Sequence, residues 1–409
     1  MNPVILIPLN WKTESTQPQG VNAVQPDDAA SCCVMARELE AQLDALDQLD
    51  GVTRVIYLIG EVEPELRGAA EAQLKDICSK HPQCNPLVAG EAQLKLIQDH
   101  IKKCHPSYPV ATIGFANRAT VLNFGLCLAA ILGHDIIIFL SQDVVPTQKN
   151  FVLEAIYGIG RNTREGIPIL VKSGFAKSQE GNPCKPLVYV GKENSLWNVN
   201  LYYNEWINRA LSAQRIIKSN ILSEDCSVVH AQVFMKTAFD EHSVADPFFS
   251  YYLDVALSGY YIWFDTQCFV MEVGNAVQKD GDSYPSPRQF YRRAMTWIYL
   301  SQKLELSRKR ILPGHVNYHD LMPYPGKWLA PDLLQQLKHS ALTRSVMTKD
   351  KAFYLSLYLK GLDTMERQAQ VSAYNHFALR GLWANLMAGL WKCPDLSVLP
   401  EKTGPEKKS

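Results

Sequence analysis

The stretch Ile136-Ile-Ile-Phe-Leu-Ser-Gln-Asp-Val-Val-Pro146 decides the fold. It opens with five apolar residues, Ile136 to Leu140, the first three of them β-branched. Such a run reads as a strand buried on both faces, because a half-exposed strand would alternate apolar with polar positions. The run stops at Ser141-Gln142-Asp143, and Pro146 blocks further ladder pairing just beyond. An acid at the end of a central strand is costly to desolvate unless a cation or hydrogen-bond donors meet it. Open α/β sheets bind their ligands at the carboxyl ends of their strands. Asp143 is therefore the first candidate for chemistry. The competing reading makes it a cap on the turn or on the helix that begins near Asn150.

The bulk properties bound the remaining choices. A chain of 409 residues holds two or three domains at roughly 150 residues each. The 47% hydrophobic content supports an ordinary globular core. Lys+Arg and Asp+Glu both number 41, and zero net charge argues against a nucleic-acid surface, which needs clustered positive charge. One or two Arg or Lys on a small anion stay compatible with it. Met1-Asn-Pro-Val-Ile-Leu-Ile-Pro-Leu9 lacks the basic leader of a secretory signal. No stretch approaches the ~18 apolar residues of a membrane span. The expected location is the cytoplasm, with no transmembrane segment. The ten cysteines contain no CxxC pair and read as free thiols. Cys78, His81, Cys84 and Cys104 fit no zinc spacing.

Outward from 136–140, strands alternate with helices. Strands are expected at 4–9, 52–59 and 110–115, and helices at 30–49, 64–81, 90–104 and 120–132. Further strand signals lie at 167–172, 187–190, 226–234, 260–264 and 268–272, with helices at 151–159 and 197–218. This alternation implies a mostly parallel sheet covered on both faces. From Pro287 onward the patterns are helical, over 289–306, 331–345, 351–359 and 365–390. The expected units are a sheet domain over 1–285, a helical domain over 286–393 and a frayed tail over 394–409.

Several segments line up with a known family. Asn117-Arg-Ala-Thr-Val-Leu-Asn-Phe-Gly-Leu-Cys-Leu-Ala129 is similar to the N-x-G-L-x-x-A helix of nucleotide-sugar glycosyltransferases of the GT-A fold. Ser141-Gln142-Asp143-Val144-Val145-Pro146 resembles the Ser/Thr-Gln-Asp form of their D-x-D motif found in a rhamnosyltransferase-like branch. Met235-Lys236 with Phe239-Asp240-Glu241 resembles the segment before the acceptor helix, and Phe248 to Tyr260 resembles that helix, ending in Ser-Gly-Tyr. The likeness spans residues 2–275 and extends to the retaining mannosylglycerate synthase type, which has a comparable helical extension. It implies an α/β, Rossmann-like GT-A fold with a helical C-terminal domain. It also implies transfer of a sugar from a UDP-, GDP- or dTDP-sugar to a hydroxyl acceptor, assisted by Mn²⁺ or Mg²⁺.

The resemblance distributes roles. Asp143 would hold the metal and the donor diphosphate, and Glu272 falls at the third metal position, where Glu is an acceptable oxygen ligand. Asn10 and Lys12 end the first strand and Glu61 the second, where such enzymes hold base and ribose. Gln142 would reach a ribose or sugar hydroxyl. Asn123 would either bind a sugar hydroxyl or fix the local backbone, and Arg118 would either meet phosphate or lie on the surface. His315-Val-Asn-Tyr-His319 sits in a Pro-bounded loop, from which His319 would contact phosphate or acceptor. Two features depart from the pattern. Ser141 stands where a first carboxylate is usual, and the Glu-Asp pair at the start of the acceptor helix is Pro247-Phe248 here. Asp246 is then the candidate base for an inverting reaction, and also a good N-cap before Pro247. Asp254 reads as structural or as facing the acceptor.

The departures support an alternative function, a GT-A-like binding or scaffold protein with impaired catalysis. Nucleotidyl transfer lacks a Gly- and Arg/Lys-rich triphosphate loop near the first strand. The helical part is left as a homodimer interface, an acceptor site or a membrane-surface contact. Lys303, Arg308, Lys309 and Arg310 read as a solvated basic helix end.

Overall fold

The structure, a computed structural model, describes residues 1–9, 28–60, 66–186, 196–197, 199–243, 246–273, 286–308 and 332–396. Nine strands form one sheet: β1 (Pro3–Leu9), β2 (Val55–Ile59), β3 (Pro86–Ala89), β4 (Ile136–Leu140), β5 (Val144–Val145), β6 (Val171–Lys177), β7 (Ile216–Ser219), β8 (Cys226–His230) and β9 (Ile262–Glu272). Their order is β3-β2-β1-β4-β8-β6-β9-β5, with β7 also paired to β9. The first four are mutually parallel. β8 runs against β4 and β6, β9 is parallel to β6, and β5 and β7 run against β9. Six of the nine strands thus share one direction. The expected class is the one present: α/β, with a mostly parallel sheet and a helical C-terminal region.

The uniform apolar runs of the central strands follow from cover on both faces. Val4, Leu6, Ile137 and Phe139 enter one core cluster, and Ile5, Ile7, Ile136 and Ile138 enter the other. The second cluster is closed by α1 (Asp28–Asp47), α2 (Arg67–Ser79) and α5 (Phe151–Ile156), through Leu39, Leu43, Leu74 and Phe151. The first is closed by α4 (Arg118–Ile131), which follows α3 (Glu91–Cys104). Every residue of α4 from Ala119 to Ile131 is buried. Gly125 explains how α4 lies so close to the sheet: a Cβ there would come within 2.5 Å of Leu6 Cδ1 and 2.7 Å of Leu58 Cδ1.

The chain continues through α6 (Val199–Leu211), the short α7 (Ala231–Phe234), α8 (Pro247–Leu257) and α9 (Pro287–Arg308). It ends in α10 (Leu333–Met347), α11 (Lys351–Ser356), a π-type turn (Leu357–Gly361) and α12 (Leu362–Leu390). These last helices cover the outer side of α4, so Trp383, Leu386 and Met387 join the same core cluster as β1 and β4. The boundary expected at 285 lies outside the described residues. Among the described residues, no helix is long and apolar enough to cross a membrane.

Several elements differ from their sequence reading; the strand expected at 226–234, for one, ends at His230 and gives way to the helix Ala231–Phe234. The third strand is Pro86–Ala89, while Val110–Thr112 forms a 3-10 turn. A four-residue run led by Pro carries too little pattern to outscore the longer apolar run at 110–115. The helix expected over 197–218 stops at Leu211, and Ile216–Ser219 pairs with β9. The two late strands are a single one, Ile262–Glu272, with a register shift opposite Ser173 and Phe175.

The helical region is tied to the sheet by charge. Lys303 of α9, expected at a solvated helix end, is fully buried. Its Nζ donates to Asp240 Oδ2 at 2.7 Å, to Asp254 Oδ2 at 2.8 Å and to Ser250 Oγ at 3.1 Å. His376 of α12 presents Nδ1 to Asp240 at 3.4 Å and Nε2 to Asp254 at 3.1 Å. Its two ring nitrogens thus each face one of the two carboxylates. Burial favours protonation of both carboxyls, but His376 and Lys303 outweigh it and hold both below the usual carboxylate range. Removing one partner of such a group strands a buried charge, at a loss of about 3–5 kcal/mol. Lys303→Met is therefore expected to lower the unfolding free energy, measured by urea denaturation, by an amount of that order. Because the folded carboxyls are depressed, their contribution is complete above the unfolded value of 3.8 and is lost as pH falls below it. Acid unfolding followed by tryptophan fluorescence should accordingly be cooperative below that pH in the wild type.

Candidate active site at the carboxyl edge of the sheet

β4 ends at Leu140, directly opposite Cys226, where antiparallel β8 begins. The residues after β4 and those before β8 therefore meet at one edge. Ser141 N–H donates to the Asp225 carbonyl at 3.4 Å, and Ser141 Oγ to Asp225 Oδ1 at 3.4 Å. Asp225 also takes Lys185 Nζ at 3.1 Å. Next to it, Glu224 pairs with Arg118 Nη2 at 3.3 Å. Arg118 stands at the first turn of α4, whose N-terminus reaches the same edge because α4 runs against β4.

Glu224 keeps 43% of its side chain accessible and Asp246 is exposed, yet surrounding protein raises both carboxyls. Deep and accessible together define a concave hollow. Burial raises the Glu224 carboxyl, and Asp225 and Asp246 add repulsion against the pull of Arg118. Burial likewise raises Asp246, against the Phe249 N–H, Arg118, Lys185 and Arg293, which favour its charged form. Lys185 is held above its ordinary value: burial opposes its charge, but Asp225 and Tyr203 outweigh that penalty. Burial pushes the Tyr203 phenol up to about 12, with Lys185 opposing and Asp225 and Glu272 adding to the rise. The Tyr203 hydroxyl has no hydrogen-bond partner among the described residues.

Asp143 and Glu272 come together through β5 and β9. Val144 pairs with Glu272, and the Val273 N–H donates to the Asp143 carbonyl at 2.7 Å. Directly opposed residues share a face, so Glu272 lies on the face of Val144, one residue along the chain from Asp143. The carboxylate that meets Asp143 is Glu38 of α1, which burial and then the Asp143 charge push upward. Hard oxygen donors of this kind suit Mg²⁺ or Mn²⁺.

Other sequence candidates have different surroundings. Asn123 is 1% exposed and fixes the backbone. Its Nδ2 donates to the Thr112 and Phe239 carbonyls at 3.1 and 2.9 Å, and its Oδ1 accepts from the Phe239 N–H at 2.7 Å. Asp246 is the N-cap of α8, accepting the Phe249 N–H at 2.9 Å, with Pro247 at the first helical position. Its second oxygen has no part in that cap. Gln142 lies half-buried between Ser141 and Asp143. Asp254 belongs to the Lys303 group. Asn10, Lys12, Glu61 and His319 lie outside the described residues. Asp240, Asp254 and His376 form a set with metal-ligand spacing, but the Lys303 ammonium already bridges the two carboxylates. The cavity beside Asp254 and His376 measures about 30 Å³, which suits water and excludes a sugar ring.

Sequence reasoning missed Glu38, Lys185, Tyr203 and the pair Glu224-Asp225. An available signal was the Glu-Asp dipeptide directly before the strand-like Cys-Ser-Val-Val-His230. Its meaning depended on knowing that β8 runs antiparallel to β4. Nothing local marks Glu38, one of several acids on a long helix.

No family model matches the chain, and no curated protein matches it. Among solved structures it is similar to the mannosyltransferase PcManGT from Pyrobaculum calidifontis in complex with GDP-Man and Mn²⁺. That likeness has a TM-score of 0.43 and 11% identity over 93% of this chain and 86% of the other. A mycobacterial protein gives a TM-score of 0.37 and 10% identity over 74% of each chain. Both likenesses are loose, and the functional argument rests on the chain's own residues.

The pair Lys185–Asp225 keeps 35% and 13% of its side chains accessible. A pair that wet contributes about 0–1 kcal/mol. Lys185→Met is expected to leave the unfolding free energy, measured by urea denaturation, within that range of the wild type, in contrast to the buried Lys303, so a large loss would show that the hollow is closed.

Proposed function

We propose that this protein is a glycosyltransferase that moves a sugar from a nucleotide-diphosphate donor to a hydroxyl acceptor, with Mn²⁺ or Mg²⁺ held at Asp143. The observation that carries this reading is the hollow at the carboxyl edge, where Glu224, Asp225 and Asp246 stand with Arg118 and Lys185. Asp143 follows β4 at the same edge, with Glu38 acting on it as a separate pair. A diphosphate would be repelled by so many carboxylates unless a divalent cation lay between. The ion supplies neutralisation of the departing diphosphate. The carboxylate missing at Ser141 is provided from the neighbouring strand by Asp225.

The chain's own groups cover the rest of an inverting transfer. The acceptor oxygen attacks the anomeric carbon, the bond from that carbon to the diphosphate oxygen breaks, and the hydroxyl proton passes to a carboxylate. Asp246 suits that role, because burial strengthens its hold on a proton while its second oxygen is free of the helix cap. Arg118 and Lys185 offer donors to the diphosphate or to acceptor hydroxyls. A retaining transfer would need no such base. Glu272, paired through β9 with the residue after Asp143 and acting on the Tyr203 phenol, keeps its proposed place as a further metal ligand. Asn10, Lys12, Glu61, Gln142 and His319 keep their proposed donor contacts.

The test is a donor panel of UDP-, GDP- and dTDP-sugars with the full chain, with and without Mn²⁺, read by thermal stabilisation and nucleotide release. One donor is expected to raise Tm only when Mn²⁺ is present and to be slowly hydrolysed. Asp143→Ala should abolish both effects, and Asp246→Asn should keep the Tm shift while losing release. Stabilisation without release at any acceptor would favour the scaffold reading; no stabilisation by any donor would sink the proposal.

A further inference from the structure

Well away from the carboxylate hollow, at the end of the last helix, three different metal-ligand types converge. His100 Nε2, Cys393 Sγ and an Asp395 carboxylate oxygen all lie within 4.8 Å of one another. His100 stands on α3 and the other two on the turn after α12, so His100 and Cys393 meet across 293 residues, with Sγ and Nε2 3.8 Å apart. In a tetrahedral zinc site, bonds of roughly 2.3 Å to sulfur and 2.0–2.1 Å to nitrogen place these two atoms about 3.5 Å apart. The observed spacing needs only a few tenths of an ångström of contraction.

The backbone is built to deliver this arrangement. Gly389 lets the last turn of α12 approach the end of α3, since a Cβ there would fall 2.4 Å from His105 Nε2. Lys392 then takes φ of +52°, one of two non-glycine residues with positive φ among those described. That conformation carries a cost for a side chain with a Cβ, and persists only where the surroundings impose it. Its N–H is held by the Ala130 carbonyl at 3.0 Å, and the Cys393 N–H by the Leu390 carbonyl at 3.1 Å. Leu396, buried in the core, closes the turn through its N–H on the Cys393 carbonyl at 3.2 Å. The left-handed residue thus turns Cys393 back toward α3, and Asp395 follows on the same turn.

We propose that His100, Cys393 and Asp395 bind a divalent transition-metal ion of the zinc class, which staples the C-terminal end of α12 to α3. A thiolate, a carboxylate and a neutral imidazole balance the charge of the dication. Cys393 releases its thiol proton to solvent on binding, and water completes the coordination. Thiolate and imidazole select zinc-like ions over Mg²⁺, so the site is chemically distinct from the oxygen-ligand site proposed at Asp143 and does not depend on the proposed transferase activity.

The experiment is a Co²⁺ titration of the chelator-treated full chain, followed by absorption and by Tm, with Zn²⁺ as competitor. One equivalent is expected to bind, with a near-ultraviolet thiolate-to-cobalt band that Zn²⁺ displaces. Cys393→Ser should remove the band, His100→Ala should weaken binding at least tenfold, and both variants should lose the metal-dependent rise in Tm. Asp143→Ala and Cys104→Ser should keep all of it. Absence of stoichiometric binding would overturn the proposal. So would a band that survives in Cys393→Ser, which would assign it to another thiol such as the exposed Cys104.

Discussion

The ammonium of Lys303 is the charge around which the two parts of this protein are assembled. It comes from α9, its carboxylate partners from the segment after α7 and from α8, and the histidine that faces both carboxylates from α12. Four stretches of chain therefore meet at one fully buried group. Buried ion pairs give little net stability compared with a well-packed apolar core of the same volume. What they give is geometry, because each partner must be in place or a naked charge remains in a medium that cannot solvate it. The sheet and the helical region share a continuous apolar cluster, and the Lys303 group fixes how they meet within it.

The same network sets the working edge at a distance. Asp240 and Asp254 lie on the segments that flank Asp246, so anchoring them fixes the position of the α8 N-terminus. Asp246 caps that helix at the rim of the hollow. Asn123 performs the corresponding task from α4, by holding the Thr112 and Phe239 backbone beside Arg118's helix. Residues that look chemical in the sequence are in these two cases positioners of others. The charged groups that reach the open hollow come from loops that the network and the amide hold still.

The central strand, the alternation of strands and helices, and Asp143 at a strand end were all legible in order along the chain. Each rests on local physics: a β-branched apolar run needs cover on both faces, and an acid that ends it marks the sheet's edge. Asp246-Pro247 as a helix start was legible for the same reason, since an N-cap is a contact between residues three apart. The third strand was not. Pro86–Ala89 takes its identity from pairing with β2, and a four-residue run has no period of its own.

The sequence by itself determined the fold class, the central strand and the acid that follows its end. Tertiary structure alone decided which charges stand together. Glu38 reaches Asp143 from a helix, Glu224-Asp225 arrive because β8 runs antiparallel to β4, and Lys303 is taken out of solvent by helices that close from both sides. Cys393 meets His100 because the turn after α12 packs against α3. In each case the partners are far apart in the chain, and the energy that selects them, between charges or through burial, depends on distance in space, which carries no local trace in the order of residues.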